Sequence, residues 1–478
     1  MKATRRQFLR VTAIGTAGFV LGCEKPAAIS HEDGGVIDGE DAGFTKVDED
    51  GGVTEPDAGA TPDTPETLME AFGFPLGIAS GDVDTGRAVL WTRYDGMAPI
   101  RLRVWRMDGD VYALRVADTQ VTPGDGGFVH LDVSGLEAGV RYRYAFFEED
   151  AGGNVLARSA IGRFRAAIAD GTKETLTIGA CSCTHQGITP TPLARAGERT
   201  DLDVFLLLGD TSYNDGADTL SEFRTRWAAN LASPEYRTMR AATSVLASWD
   251  DHEVTNDFNP ETVSPQKMAT AKQTFFENLP LRRDSANPDR IWKSMKWGAT
   301  AEFFILDCRG ERKPSTRFNG QTQIYVSREQ LDWLKAGLKA STASFKVIMN
   351  SVPITDFGFS VFTGDSWISY AQQRTELLSW IDDENIGGVL WVSGDHHFAS
   401  SGWVAAVDPG RTQLEVLVGP GAQSGNIAYA LLRPPRWQFA TDTNNYTTFK
   451  LDPMTMKVEV TFINGSGVTL FTREYDLS

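Results

Sequence analysis

Apolar residues fall into two successive textures along the chain. From residue 72 to about 164 they come in alternation or in short runs, as in Ala88-Val89-Leu90-Trp91-Thr92-Arg93, Ile100-Arg101-Leu102-Arg103-Val104-Trp105 and Arg141-Tyr142-Arg143-Tyr144-Ala145-Phe146. That period and length predict β-strands, with Asp108-Gly109 and Gly124-Asp125-Gly126-Gly127 supplying turns between them. From about residue 176 the pattern changes. Apolar runs at 176–179, 204–208, 245–247, 303–306, 347–349, 389–392 and 414–418 are separated by segments of helical character.

Local signals sharpen both halves. Leu136-Glu137-Ala138-Gly139 ahead of Tyr142 has the form of a tyrosine corner, so residues 69–168 are expected to build a small fibronectin- or immunoglobulin-like β-sandwich. In the second half, Ser233-Pro234 and Ser264-Pro265 each place an N-cap before a proline suited to the first helical position. Ser327 and Gln330 form a predicted capping box, after which Leu331, Leu334 and Leu338 share one helical face. Strands alternating with helices predict an α/β domain over 172–478 with at least part of its sheet parallel. A hairpin turn is expected at Asn464-Gly465 near the end.

Charge changes this picture only at the amino-terminal end. The formal net charge is −17, but residues 31–66 carry twelve acids against Lys46, leaving about −6 for the rest. No basic stripe is present, so a nucleic-acid-binding surface is not expected. Residues 24–68 are rich in Asp, Glu, Gly, Pro and Thr, and read as a flexible, self-repelling linker. Before them, Thr4-Arg5-Arg6-Gln7-Phe8-Leu9-Arg10 followed by an apolar stretch reads as a twin-arginine signal over residues 1–23. That stretch is too short for a lasting membrane span, which needs ~20 apolar residues. It ends in Val20-Leu21-Gly22-Cys23, similar to a bacterial lipobox, with Cys23 as the expected lipidation site; a simple cleaved signal is the alternative. The expectation is an exported protein, periplasmic or on the cell surface, lipid-anchored to a bacterial membrane and otherwise monomeric. With Cys23 lipidated, Cys181, Cys183 and Cys308 cannot complete a disulfide framework, so at least one thiol is free or ligating.

The apolar runs of the second half end in polar clusters. These are Cys181-Ser182-Cys183-Thr184-His185, Gly209-Asp210-Thr211-Ser212-Tyr213-Asn214-Asp215, Trp249-Asp250-Asp251-His252-Glu253, Asp307-Cys308-Arg309 with Arg312, then Asn350, and Gly394-Asp395-His396-His397. Strand ends of α/β domains face the crevice where ligands bind. The run at 250–253 alone fits a metal site or a polar loop paired with arginine equally well. Four of the six histidines nevertheless fall in these clusters, and carboxylates, imidazoles and thiols gathered at one sheet edge point to a multi-metal site.

Gly-Asp-x-x-Tyr at 209–213, Trp-Asp-Asp-His-Glu at 249–253 and Ser-Gly-Asp-His-His at 393–397 resemble the PhoD-type alkaline phosphatases, within the calcineurin-like metallophosphoesterases and related to purple acid phosphatases. Ala79-Ser80-Gly81-Asp82, Leu90-Trp91-Thr92-Arg93 and Leu306-Asp307-Cys308-Arg309 extend the resemblance over roughly residues 72–478. It implies a four-layer α/β/β/α metallophosphoesterase sandwich preceded by the β-sandwich, hydrolysing phosphate monoesters or diesters by in-line attack of a metal-activated hydroxide. Phospholipase D-like diesterase activity falls within the same range.

The resemblance also implies roles. Asp210 matches a carboxylate bridging two metals and Tyr213 a phenolate on ferric iron. Cys181 is the implied thiolate ligand, with Cys183 the alternative. Asp251 stands where relatives carry a metal-binding Asn, His252 where they carry a catalytic histidine, and Asp395 and His397 match a ligand pair. Asn350 takes the place of a histidine ligand, and Arg309 is expected to neutralise substrate phosphate. The implied cofactors are Fe3+ and Ca2+, with Zn2+, Mn2+ or Mg2+ as alternatives; hard oxygen ligands suit calcium and thiolate, phenolate and imidazole suit iron. His396 and Cys308 are read as structural, and His185 as an exposed loop residue more often than a site residue. A reading of another class is a cell-surface binding protein whose metal site is only structural.

Overall fold

The computed structural model describes residues 64–318, 322–358, 364–431 and 433–478. The twin-arginine segment, Cys23 and most of the acidic linker lie outside them. The first described strands are β1 (Ile78–Gly81), β2 (Arg87–Arg93), β3 (Ile100–Asp108), β4 (Val111–Val121), β5 (Phe128–Ser134), β6 (Arg141–Glu149), β7 (Val155–Arg158) and β8 (Gly162–Arg165). β3, β4, β6, β7 and β8 pair antiparallel in one sheet. Leu102, Tyr144 and Phe146 from that sheet pack on Ile78, Leu90 and Leu131 from β1, β2 and β5. The Tyr142 hydroxyl accepts the Glu137 N–H at 2.7 Å, closing the tyrosine corner that the sequence predicts.

Beyond residue 172 the strands are β9 (Leu176–Cys181), β10 (Val204–Leu208), β11 (Ser244–Ser248), β12 (Lys293–Trp297), β13 (Ala301–Ile305), β14 (Phe345–Met349), β15 (Val389–Ser393), β16 (Ala399–Trp403), β17 (Leu414–Leu417), β18 (Ala440–Thr441), β19 (Asn445–Asp452), β20 (Lys457–Asn464) and β21 (Thr469–Asp476). The helices are α1 (Thr191–Glu198), α2 (Leu220–Leu231), α3 (Pro234–Ala242), α4 (Pro265–Asn278), α5 (Arg328–Ala340), α6 (Ala371–Asp383) and the short α7 (Ile427–Leu431). Alternation within the strands sets the layers. Val204, Leu206 and Leu208 of β10 face Phe303, Ile305, Val347 and Met349 of the second sheet, whereas Phe205 and Leu207 face Leu193, Trp227 and Phe275 of the helices. On the far side, Phe304, Ile348 and Trp391 pack on Leu331, Leu334, Leu338 and Leu377. Helices, sheet, sheet and helices therefore stack as the four expected layers. No helix among the described residues is long and apolar enough to cross a membrane.

β9, β10 and β11 run parallel, as do β13, β14, β15 and β17, so each sheet collects its strand ends at one edge. The first sheet also continues across the boundary between the two halves of the chain. Its order is β21-β20-β19-β9-β10-β11-β1-β2-β5, with β1 joined parallel to β11 at Gly81↔Val245. Gly81 permits the approach, because a Cβ there would lie 2.5 Å from the Pro280 carbonyl oxygen and 2.8 Å from that of Val245.

The predicted helix starts are capped by Ser233 and Ser264, whose side chains accept from Tyr236 N–H and Lys267 N–H. At α5 only half of the predicted capping box forms. Ser327 accepts the Gln330 N–H at 3.1 Å, but the buried Gln330 side chain spends its amide on the backbone of Asp307. Tethering the β13 loop thus takes the place of capping.

Candidate active site

The loops after β10 and β11 are locked together by one side chain. Buried Glu253 accepts the N–H groups of Asp210 (3.0 Å), Thr211 (2.6 Å), Ser212 (3.3 Å) and Asp250 (2.9 Å). Gly209, at φ 84°, lets the loops touch, since a Cβ there would sit 2.4 Å from Asp250 Cβ. Backbone strain collects in the same place. Cys183, Asp210, Asp257, Asp395 and His397 all adopt the left-handed region with φ between 50° and 64°. Each such non-glycine residue costs roughly 1–3 kcal/mol, and such strain clusters at functional sites.

Three sets of donor atoms lie within 4.8 Å of one another: Cys183, Asp210 and His397; Asp210, Asp251 and His252; and Asp250, Asp251 and Asp395. Asp210 links the first two sets and Asp251 the last two. Asp210 Oδ2 accepts the Tyr213 hydroxyl at 3.1 Å, while its buried Oδ1 has no partner. Burial, then the nearby acids Asp251, Glu253 and Asp395, push the Asp210 carboxyl well above the usual carboxylate range, with His252 opposing. Burial likewise raises Asp250, against the pull of Arg309. A crowd of buried carboxylates with an orphaned oxygen is a poor core and a good cradle for cations. The donor chemistry fits as well: thiol, phenol and imidazole at one end, carboxylates at the other.

His252 is held from outside. Its Nδ1 meets Asp215 Oδ2 at 2.6 Å, and its ring lies 4.0 Å from that of Tyr213, centroid to centroid. Burial opposes its protonation, but Asp210, Asp215 and Asp251 outweigh burial and lift it to about 10. His185 packs edge-on to Tyr213 at 4.9 Å, its Nδ1 accepting the Gly187 N–H. His396 Nδ1 pairs with Asp395 Oδ2 at 2.8 Å. Burial raises Asp395, yet Arg309 and His396 prevail and hold it at about 2.

Three expectations need correction. Cys181 is not in the donor cluster: as the last residue of β9 it packs in the core on the helix side of the first sheet, its thiol directed at the Ser182 and Asn445 carbonyls at 3.6 Å. The left-handed turn two residues later carries Cys183 into the cluster instead. Asn350 is buried at the predicted strand end, but its oxygen accepts from Trp367 Nε1 (2.9 Å) and from the Cys308 thiol (3.0 Å). Indole nitrogen can only donate, which fixes the amide orientation and leaves an NH2 group, a non-ligand, unpartnered. Arg309, expected to neutralise substrate phosphate, is closed off from solvent among carboxylates. It is fully buried, with its guanidinium bonded to Asp250 from Nε, to Asp365 from Nη1 at 2.5 Å and to Asp395 from Nη2 at 2.8 Å, and with Asp251 at 3.8 Å. It is the counter-charge of the acidic cluster.

The sequence of residues 178–452 matches the PhoD-like phosphatase family, and residues 60–168 match the N-terminal domain of PhoD-like phosphatases. The chain belongs to the PhoD-like phosphatase family. Alkaline phosphatase D of Bacillus subtilis (strain 168) is 25% identical over 482 residues, covering 85% of this chain and 80% of that protein. The solved structure of PhoD superposes with a TM-score of 0.73 at 22% identity, over 85% of this chain and 91% of that one. A purple acid phosphatase from yellow lupin (Lupinus luteus) seeds shares the fold at a TM-score of 0.60 and 13% identity, over 83% and 73% of the two chains. This PhoD-like phosphatase is therefore a metal-dependent phosphoester hydrolase on a metallophosphoesterase fold.

Several residues of its centre carry no signal of their role in the sequence. Asp250 and Asp215 sit inside motifs that were visible, but nothing in a motif says which carboxylate turns inward. Asp365, which completes the shell of Arg309, lies in a loop with no recognisable spacing.

Proposed function

We propose that this chain is an exported phosphatase acting on phosphate monoesters or diesters, with ferric iron held by Cys183, Asp210, Tyr213 and His397 and calcium on the Asp251–Asp395 side. The observation that carries this reading is the sharing of Asp210 between adjacent donor sets, with one buried oxygen still unpartnered. Cations bound there would neutralise phosphate oxygens and make hydroxide available near neutral pH.

The chain's own residues supply positioning and protons. Glu253 fixes the backbone of both ligand loops, and Arg309 keeps the carboxylates of Asp250, Asp365 and Asp395 in register. With Nδ1 committed to Asp215, His252 has only Nε2 to offer the centre, and in its protonated form it donates to the leaving oxygen. Such general acid catalysis contributes about 10²–10⁴-fold. Metal-loaded protein should hydrolyse p-nitrophenyl phosphate or its bis-ester at alkaline pH. If stoichiometric metal is bound and neither ester is cleaved, the alternative of a binding protein with a structural metal site takes over.

Export and membrane attachment rest on the twin-arginine segment and on Cys23 at the end of its apolar stretch. Intact-mass measurement of the native protein tests this part: a diacylated Cys23 supports the anchor, and an unmodified residue removes it.

A further inference from the structure

A cleft of about 510 Å3 lies between the N-terminal sandwich and α2, within the size range of small-molecule sites. Leu76, Phe128, Leu220 and Ala228 give it apolar walls. Two arginines, one from each side, converge in it. Arg93 at the end of β2 donates from Nε to the Gly126 carbonyl at 3.0 Å, and a Cβ on Gly126 would lie 3.0 Å from the Arg224 guanidinium carbon. The two guanidinium carbons stand 6.0 Å and 5.6 Å from the centre of the Phe128 ring.

Counter-charges decide what these arginines can hold. Arg224 bonds Glu277 through Nε (2.8 Å) and Nη2 (2.7 Å), and Asp125 through Nη2 at 2.5 Å. Nη2 of Arg93 lies 3.4 Å from Asp95. Three carboxylates thus stand against two cations, so the cleft offers an anion no net attraction. Nη1 of each arginine bonds nothing among the described residues and is left as a donor whose charge is already balanced. Asn278, at the end of α4 and next to Glu277, also lines the cleft. Its Nδ2 donates to the Thr274 carbonyl at 2.9 Å, which fixes the amide, and its buried Oδ1 has no partner.

A ligand for this cleft therefore needs hydrogen-bond acceptors, a donor, apolar faces and no net charge. Backbone pairing with a peptide is closed off, because the carbonyls of Gly126, Gly127 and Phe128 are taken by Arg93 Nε–H, Tyr94 N–H and Gly124 N–H. A pyranose ring has the required chemistry: hydroxyls that both accept and donate, around a body whose C–H faces pack on an aromatic ring. Ser221 and Thr225 add two hydroxyl-bearing side chains at the exposed lip.

We propose that this cleft binds an uncharged carbohydrate residue, read by Arg93, Arg224 and Asn278 and seated on Phe128. None of the lining residues belongs to the metal centre, so the site docks the enzyme on a glycan and takes no part in ester cleavage.

Isothermal titration of the full-length, metal-loaded protein with maltose, cellobiose and chitobiose tests the site. At least one should bind with a Kd of about 1 mM. Arg93→Met removes one donor and should weaken that binding ~10-fold. Thr225→Trp, at an exposed helix position, fills the cleft and should abolish binding. Both variants should hydrolyse p-nitrophenyl phosphate at the wild-type rate, which separates the docking site from the catalytic one. The aldonic acid of the preferred disaccharide should bind more weakly than the neutral sugar. Failure of all three sugars to bind, binding untouched by Thr225→Trp, or tighter binding of the acid overturns the proposal.

Discussion

Asp215 Oδ2 and His252 Nδ1 meet at 2.6 Å, and Asp215 Oδ1 accepts the Asn256 N–H at the same distance, so the carboxylate that aims the imidazole is itself fixed by backbone. Asp215→Asn keeps the geometry and removes the charge. It should lower kcat for an alkyl phosphate ester by about 10²-fold with little change in KM. With p-nitrophenyl phosphate, whose leaving group needs no proton, the loss should be several times smaller. Equal losses on both esters would show that His252 is not the acid.

Glu253→Gln places a donor among four backbone donors. Leaving buried N–H groups unpaired costs ~1–3 kcal/mol each, so a loss of about 3 kcal/mol in urea unfolding is expected, with bound metal falling alongside it.

The two cysteines should separate cleanly. Cys183→Ser should strip most of the metal held beside Asp210, read by elemental analysis and by loss of any visible absorption band. Cys181→Ala should keep the metal and cost only about 1 kcal/mol of stability, because that thiol is core.

Arg309→Met tests counter-charge against substrate binding. Breaking a buried ion pair by removing one partner costs about 3–5 kcal/mol, so the variant should melt far below wild type. An arginine that gripped substrate phosphate would instead raise KM at unchanged Tm.

Away from the centre, Glu376 is held at about 2 by its hydrogen bond to Arg328, with Lys335 adding to the effect. A folded-state value below the usual carboxylate range means that this contact stabilises the protein above about pH 4.5 and is lost as pH falls toward 2. Glu376→Gln should therefore melt lower than wild type at pH 6, and the difference should close on acidification. A gap that stays constant from pH 6 to pH 3 would contradict the assignment.

What the sequence made legible follows from what each residue must do alone. Strand alternation, the tyrosine corner and the serine caps are local, and they appear where expected. The donor clusters were visible because strand ends are short and polar. Orientation was not, because it depends on backbone turns: the left-handed residue at position 183 decides between two cysteines, and the Trp367 indole decides which end of the Asn350 amide is occupied. Arg309 looked like a phosphate ligand since its four carboxylate neighbours come from loops distant in sequence.

The pairing of Gly81 with Val245 bears on how this protein can be dissected. Residues 172–478 produced alone would leave β11 as a bare sheet margin, with the apolar surface of α3 that packs on β1 uncovered. Open strand margins recruit other chains. The N-terminal segment is thus a built-in chaperone of the hydrolase: the excised fragment should self-associate, and supplying residues 64–168 as a separate chain should return it to solution.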